Sequence, residues 1–199
     1  MRGAMNAVLQ LSEGKRQKGV VTHSSGNFAQ ALARAAQGVG VKAYIVMPST
    51  ATRVKKDAVV GYGGEIIECE PTLEGRETTA DKVIADTGAT FVHAYNNMDV
   101  ITGQGTACLE LLQEIPDLEA VLVPVGGGGL IAGTCLAAHY FGDGCKVCGG
   151  EPYEVDDAYR SLQSGRIESN ETTNTIADGL KTQLGDKNFP IIREHVEKI

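Results

Sequence analysis

The sequence predicts an α/β protein in which helices cover both faces of parallel sheets. The order of its elements predicts these layers, and its composition indicates a core and unusual loops. Six short β-rich stretches alternate with helical stretches along the 199 residues, an order typical of parallel strands joined by crossover helices. The hydrophobic share of 42% suits a folded domain with a core. Glycine, at 25 residues, lies well above its usual share of about 7%. This excess indicates turns and loops in which the backbone approaches a ligand closely.

The strands are expected where β-branched and apolar residues run together between breakers. They fall at residues 19–23, 42–47, 65–69, 90–93, 120–125 and 146–150. Helices are expected between them, at residues 28–37, 53–60, 73–86, 106–114, 130–140 and 155–163. Residues 189–199 follow a helical periodicity to the end of the sequence. This segment predicts a last helix, either docked on a sheet or followed by strands that this sequence does not contain.

Charge and apolar patterning exclude two classes of partner. The chain carries 18 basic and 25 acidic residues, a net charge of −7, whereas nucleic-acid binding requires a basic face. Residues 120–142 are uncharged and long enough to span a bilayer. Pro124 and four glycines interrupt them, so a strand, a loop and a helix explain this stretch better. With no signal-peptide pattern, we expect a cytoplasmic protein.

Cysteine usage argues against a disulfide framework. The five cysteines are an odd number, and disulfide-rich folds belong to secreted chains. Cys145 and Cys148 form a C-x-x-C pair, but no second pair or nearby histidine completes a metal site. We therefore expect structural thiols.

Two expected helix starts are candidate anion sites, because a helix N-terminus offers free N–H groups and the positive end of the helix dipole. The first follows the strand at residues 19–23 and contains Ser24, Ser25, Gly26 and Asn27. The second follows the strand at residues 120–125 and consists of Gly126, Gly127, Gly128 and Gly129. Each glycine costs conformational entropy, which favours a phosphate site over an ordinary loop. For the first turn, a plain N-cap by Ser or Asn explains the residues equally well.

The second turn also fits a dinucleotide-binding pattern. Residues 127–132 read G-x-G-x-x-A after a strand, and Glu151 ends the next strand, where such proteins place a ribose-binding acid. The pattern comes late in the chain and leaves the first turn unexplained. Spacing alone leaves a phosphate site and a dinucleotide site both open.

An acidic cluster follows the last predicted strand. Four carboxylates occur among the seven residues 151–157. Hard cations such as Mg²⁺ and Ca²⁺ prefer oxygen ligands of this kind, whereas an acidic helix start needs no cation because the helix dipole stabilises it. Composition alone favours the helix start.

Six motifs occur in an order that resembles the serine racemase and threonine dehydratase family of fold-type II pyridoxal-phosphate enzymes. They are SSGN at residues 24–27, YIVMP at 44–48, GQGT at 103–106, GGGG at 126–129, EP at 151–152 and TIADG at 175–179. The resemblance covers essentially the whole chain. It implies the two-lobed fold of the tryptophan synthase β-like enzymes.

The resemblance also implies roles for the candidate residues. The glycines at 126–129 would hold the phosphate of pyridoxal 5′-phosphate, and Asn27 would bind its 3-hydroxyl. Ser25 would be the acid/base on one face of the cofactor, and the substrate carboxylate would bind at Ser24, Ser25 and Gly26. A divalent cation, Mg²⁺ or else Mn²⁺ or Ca²⁺, would bind at Glu151, Asp157 and the carbonyl of Val155. This reverses the preference for a plain acidic helix start.

By the same resemblance, residues 19–96 form a small α/β domain, and residues 1–18 with 97–199 form part of a large cofactor-binding domain. The implied activity is racemisation or β-elimination on a small hydroxyamino acid by a homodimer. The family's Schiff-base lysine would stand one residue before Met1, so we expect a fragment shortened at both ends. An inactive cofactor-binding or partner-binding fragment and an NAD-binding oxidoreductase domain are the alternatives.

Overall fold

The structure is a computed structural model that describes all 199 residues. Contacts divide the chain into two units, which meet in the sequence at Ala94 and Tyr95. Residues 3–18 group with the first unit, whereas the resemblance assigns residues 1–18 to the large domain together with residues 97–199. The domain boundaries given by the resemblance therefore stay a prediction.

A four-stranded parallel sheet forms the centre of the first unit, with strand order β3-β2-β1-β4. The strands are β1 (Val20–His23), β2 (Ala43–Pro48), β3 (Glu65–Cys69) and β4 (Thr90–Phe91). The helices are α1 (Arg2–Gln10), α2 (Glu13–Lys18), α3 (Asn27–Gly38), α4 (Arg53–Gly61) and α5 (Leu73–Thr87). In register, Val21 lies beside both Tyr44 and Phe91. This places β1 in the interior of the sheet, with the turn that follows it at the carboxyl edge.

Helices cover both faces of this sheet. Helix α5 packs on the face that carries Val21, Tyr44 and Val46. Side chains alternate between the faces of a strand, so the fully buried Ile45 points to the other face, where α3 packs. The predicted layering is confirmed in this unit.

The second unit contains two parallel strands and four α-helices. In chain order these are α6 (Met98–Glu114), β5 (Ala120–Pro124), α7 (Gly129–Phe141), β6 (Lys146–Gly150), α8 (Asp157–Ser164) and α9 (Asn188–His195), with a short 3-10 helix (Asp178–Leu180) before α9. Leu122 of β5 lies beside Cys148 of β6. The core joins α7 to both strands and to α9, and includes Ile131, Val147 and Ile192.

All six predicted strands are present, and their bounds agree with the prediction to within two residues. Helix α6, however, begins eight residues before the predicted start, because the side chain of Asn97 caps it by accepting a hydrogen bond from Val100 N. Glycine disfavours a helix interior, and this segment contains two glycines, of which Gly105 lies where α6 crosses α7. The sequence did not predict α1 or α2.

The last segment also differs from its prediction. The helix expected over residues 189–199 ends at His195, and the chain then runs beside β6. Glu197 N donates to Val147 O over 2.8 Å, and Gly149 N donates to Lys198 O over 2.7 Å. The residues after α9 therefore extend the sheet, as a parallel neighbour of β6.

The uncharged stretch at residues 120–142 forms a strand, a glycine loop and a helix, as predicted. None of the helices combines the length and the apolar character that crossing a membrane requires.

Candidate functional site

The turn after β1 leads directly into α3 and holds the first group of predicted site residues. Ser24 N donates to Val46 O, and Gly26 N donates to Ser24 Oγ over 3.3 Å. Gly26 is the N-cap of α3 and Asn27 is its first residue, and no side chain caps this end. The alternative of a plain Ser or Asn cap is therefore wrong. The first N–H groups of α3 remain available to an anion.

Three rings lie together at the end of β1. The His23 ring lies 5.2 Å from that of Phe91 and 5.9 Å from that of His93, centroid to centroid. Burial is the main reason that the pKa of His23 falls below its ordinary value, since desolvation disfavours the charged imidazolium. His23, which precedes the turn at residues 24–27 (the serine turn), is therefore a neutral, packed imidazole near pH 7.

The second group of predicted residues forms the loop between β5 and α7. Gly128 is the N-cap of α7 and has a φ of 89°, in the left-handed region. No side chain caps α7, so its first N–H groups and the positive end of its dipole are unopposed. We call residues 126–129 the glycine loop. An uncapped helix start that follows a glycine loop is the kind of place where proteins bind phosphate groups.

Close packing also explains why four glycines occur here, so their entropic cost alone does not indicate a phosphate site. A Cβ on Gly127 would lie only 2.4 Å from atoms of the Tyr95 ring, and one on Gly129 would lie 2.9 Å from the Tyr95 Cβ. A Cβ on Gly128 would meet Leu184 and Ile192 at 2.9 Å, and one on Gly126 would lie 3.0 Å from Gly179 O. Close packing alone excludes side chains here, so composition is weak support for a phosphate site, and the uncapped helix is the better support.

The contact with Gly179 brings together two sequence motifs that are some fifty residues apart. The TIADG segment lies at residues 175–179, and its last residue borders the start of the glycine loop. Both motifs are part of the family resemblance, but the sequence shows no reason why they should occur together. The structure supplies one, because the backbone at Gly179 forms part of the wall around Gly126.

Sequence reasoning missed a second set of contacts around the loop. Asn188, at the start of α9, is fully buried, and its Nδ2 donates to Gly127 O over 2.7 Å and to Tyr95 O over 3.1 Å. Asn96 is tied to the same turn, since Lys187 N donates to Asn96 Oδ1 and Asn96 Nδ2 donates to Asp186. No local pattern around Asn188 distinguishes it from an ordinary residue at a helix start.

The acidic cluster separates into two pairs. Asp156 forms an ion pair with Arg160 over 2.7 Å, and Glu154 accepts a hydrogen bond from Asn174. Glu151 and Asp157 instead accept hydrogen bonds from the backbone. Of the predicted cation ligands, these two carboxylates have no basic partner.

Each of these two carboxylates meets a specific set of N–H groups. Glu151 accepts from Ala158 N and Tyr159 N in the first turn of α8. Asp157 is 1% exposed and accepts from Leu184 N over 2.9 Å. Leu184 also borders Gly128, so the acidic cluster lies next to the glycine loop. Glu151 therefore caps the start of α8 by accepting hydrogen bonds from its N–H groups. This differs from the ribose contact that the dinucleotide alternative requires.

Burial dominates the electrostatics of both carboxyl groups. It raises the pKa of Glu151 to about 7 and is the largest cause that raises the pKa of Asp157, and the neighbouring carboxylates add to the rise at Glu151. The backbone donors act in the opposite direction but do not cancel the effect. Two desolvated acids that form no ion pair favour either protonation or a cation. The side chains form no group of three or more His, Cys, Asp or Glu that could hold a metal, so a cation here would also need carbonyl and water ligands.

The fold and both helix starts define a class of protein. Residues 1–199 match the family described as "Pyridoxal-phosphate dependent enzyme" over their whole length, and the chain belongs to that family. The cofactor implied by the family is pyridoxal phosphate, which agrees with the predicted phosphate loop and not with the NAD alternative.

More specific relatives are similar throughout the chain. The serine racemase of Dictyostelium discoideum is 46% identical over 201 residues, and the beta-hydroxyaspartate dehydratase of Paracoccus denitrificans is 47% identical over 199 residues. Both alignments include 100% of this chain. The structure of maize serine racemase matches with a TM-score of 0.96 and 43% identity, over 99% of this chain and 60% of that one. The fold-type II resemblance is confirmed.

The chain spans 62% and 63% of the lengths of the first two relatives. The similarity of these residues therefore establishes the family, while the activity, the substrate and the partners of the protein are matters for proposal.

Proposed function

We propose that this chain supplies the phosphate-binding and carboxylate-binding elements of a pyridoxal-phosphate enzyme that racemises a small hydroxyamino acid or eliminates water from it. The observation that carries the proposal is the pair of uncapped helix starts, at Asn27 and at Gly129, each directly after a parallel strand. Family membership and relatives that act as a serine racemase and a hydroxyaspartate dehydratase support the substrate class.

The glycine loop would hold the cofactor phosphate by its N–H groups and the dipole of α7. Asn27 would bind the 3-hydroxyl, and the N–H groups around Ser24, Ser25 and Gly26 would bind the substrate carboxylate at the start of α3. Pyridoxal phosphate supplies an electron sink for the carbanion at the substrate α-carbon. Ser25 Oγ would deliver or remove the α-proton on one face, which is the step that racemisation requires and β-elimination of the hydroxyl does not.

Two substitutions in the whole protein test the role of Ser25. Ser25→Ala should abolish conversion of L-serine to D-serine while release of ammonia from L-serine continues. Ser24→Ala is the matched control, because Ser24 Oγ accepts from Gly26 N and shapes the turn, so both products should decrease together. Chiral chromatography and an ammonia assay measure the two outcomes. An equal loss of both products in Ser25→Ala would contradict a proton-transfer role for this serine.

We also propose a divalent cation, Mg²⁺ or else Mn²⁺ or Ca²⁺, at Glu151, Asp157 and the carbonyl of Val155. Asp157 is buried and Glu151 is half-buried, and neither forms an ion pair. These carboxylates support the site, since hard cations prefer such oxygens. A cation that binds only the folded state should raise the melting temperature. Glu151→Gln should lose this rise, and Glu154→Gln, which alters a carboxylate already engaged by Asn174, should keep it. Equal rises in Glu151→Gln and the parent would leave Glu151 as a cap of α8 only.

A further inference from the structure

Two donors hold the carbonyl of Gly127 from one side of the glycine loop. Asn188 Nδ2 donates to it over 2.7 Å, and Gly185 N donates to it over 3.1 Å. Both donors belong to the turn that begins α9. The Gly127 carbonyl therefore points toward α9.

The orientation of this carbonyl also determines that of the next amide. The chain contains no cis peptide bond, and in a planar trans peptide the N–H points opposite to the C=O. The Gly127–Gly128 peptide thus directs the Gly128 N–H away from α9. This N–H belongs to the N-cap residue of α7, at the end of the helix where an anion would bind.

A peptide between two glycines does not hold such an orientation by itself. Glycine populates positive and negative φ with similar ease, so the Gly127–Gly128 peptide can rotate unless neighbours restrain it. The Tyr95 ring restricts the space beside Gly127, but it leaves the direction of the carbonyl open. The donors at Asn188 and Gly185 supply the missing restraint.

We propose that Asn188 is a positioning residue, which aims the Gly128 N–H at the cofactor phosphate by holding the Gly127 carbonyl. The inference rests on the phosphate site of the proposed function. Asn188 does not touch the phosphate in this proposal, and it acts only through the peptide that it orients.

The environment of Asn188 argues against a role in packing alone. The residue is fully buried, yet its Oδ1 has no donor, and a buried acceptor without a partner costs free energy. An apolar side chain would fill the same volume without that cost. What the amide adds is a pair of hydrogen bonds, to Gly127 O and to Tyr95 O. Both acceptors are backbone atoms on the loop or directly beside it.

The test compares pyridoxine 5′-phosphate with pyridoxine, two probes that lack the aldehyde and so cannot label lysines. Calorimetric titration gives the ratio of their dissociation constants, which isolates the contribution of the phosphate. Asn188→Leu conserves size and removes the donors together with the unpaired acceptor, so the protein should stay folded. The ratio should fall by about tenfold or more, the value of one hydrogen bond to a charged group, while pyridoxine binds as in the parent.

Two further variants serve as matched controls. Asn188→Asp conserves shape but replaces the donor with a carboxylate. The preference for pyridoxine 5′-phosphate over pyridoxine should therefore decrease as it does in Asn188→Leu. Thr72→Ala removes the side chain that caps α5 by accepting from Gly75 N, and it lies in the other unit. It should lower the melting temperature and leave the ratio unchanged, which separates general destabilisation from positioning.

The outcomes distinguish this inference from the function beneath it. A parent that binds both probes equally well would contradict the phosphate site, and the role of Asn188 with it. A parent that prefers the phosphate, with the same preference in Asn188→Leu, would overturn the role of Asn188 alone. A loss of preference confined to the Asn188 variants would support the proposal.

Discussion

Gly133 of α7 lies directly against Gly105 of α6, with no room for a side chain on either residue. A Cβ on Gly105 would lie 2.5 Å from the Gly133 carbonyl oxygen, and one on Gly133 would collide with the carbonyl of Ile101. The two helices make the most extensive contact between elements of the chain. This crossing supports the helix whose N-terminus leads out of the glycine loop.

Gly133→Ala should therefore destabilise the fold by about 3 kcal/mol or more, because the added methyl meets backbone atoms that cannot move aside as a side chain can. Urea unfolding followed by circular dichroism measures the free energy. Gly14→Ala is the control, since a Cβ at this position in α2 has nothing within 4 Å, and alanine there should stabilise by about 0.5–1 kcal/mol. A loss below about 1 kcal/mol for Gly133→Ala would refute a tight crossing.

Gly127 and Tyr95 should be energetically coupled. Gly127→Ala should cost about 1–3 kcal/mol, since its methyl would enter the space of the Tyr95 ring. In a Tyr95→Ala background the same substitution should be nearly neutral, because Gly127 has no positive φ to penalise alanine. A double-mutant cycle of unfolding free energies gives the coupling. Additive effects would mean that the ring does not exclude a side chain at this position.

The pH dependence of the cation-free protein should report Glu151. Burial raises the pKa of Glu151 to about 7 from an ordinary value near 4.5, so between these values the folded chain holds a proton that the unfolded chain has released. Stability should accordingly decrease as the pH rises from about 4.5 to about 7. Urea unfolding over this interval should show a shallower decline in Glu151→Gln than in the parent. Identical slopes would show that Glu151 titrates normally.

Cys135 should be the least reactive thiol of the native protein. It is 1% exposed, and burial raises its pKa to about 12, so almost no thiolate is present at pH 8. Cys145 and Cys148 are half-exposed and should take up iodoacetamide first, as measured by peptide mass spectrometry over time. Labelling of Cys135 should require denaturant. Early modification of Cys135 in native buffer would contradict the buried environment.

Most strands were predictable from the sequence because they contain runs of apolar and β-branched residues between breakers, as in residues 43–47. Helix boundaries were harder to predict from the sequence than the strands. The start of α6 depends on one capping contact of Asn97 and on glycines that fit a helix only because α7 lies against them. The end of α9 depends on hydrogen bonds to β6, which is about fifty residues away in the sequence. Neither interaction leaves a local pattern.

In the candidate site, too, local features could be predicted from the sequence and long-range contacts could not. The serine turn and the glycine loop lie where parallel strands end and helices begin, a relationship that alternation in the sequence reveals. The role of Asn188 depends on a carbonyl 61 positions earlier in the chain, and the separation of the acidic cluster depends on Arg160 and Asn174. Such long-range partners appear only once the chain is folded.

The strand pairing between residues 197–199 and β6 has a consequence for a broken chain. The segment between them includes a largely exposed stretch at residues 163–174, the kind of region that proteases cut. A cut there would sever the polypeptide but leave Glu197 and Lys198 hydrogen-bonded to Val147 and Gly149, with α9 packed on α7. The two products should remain together as a nicked complex and separate only in denaturant. This part of the molecule is thus suited to reconstitution from two separately expressed fragments.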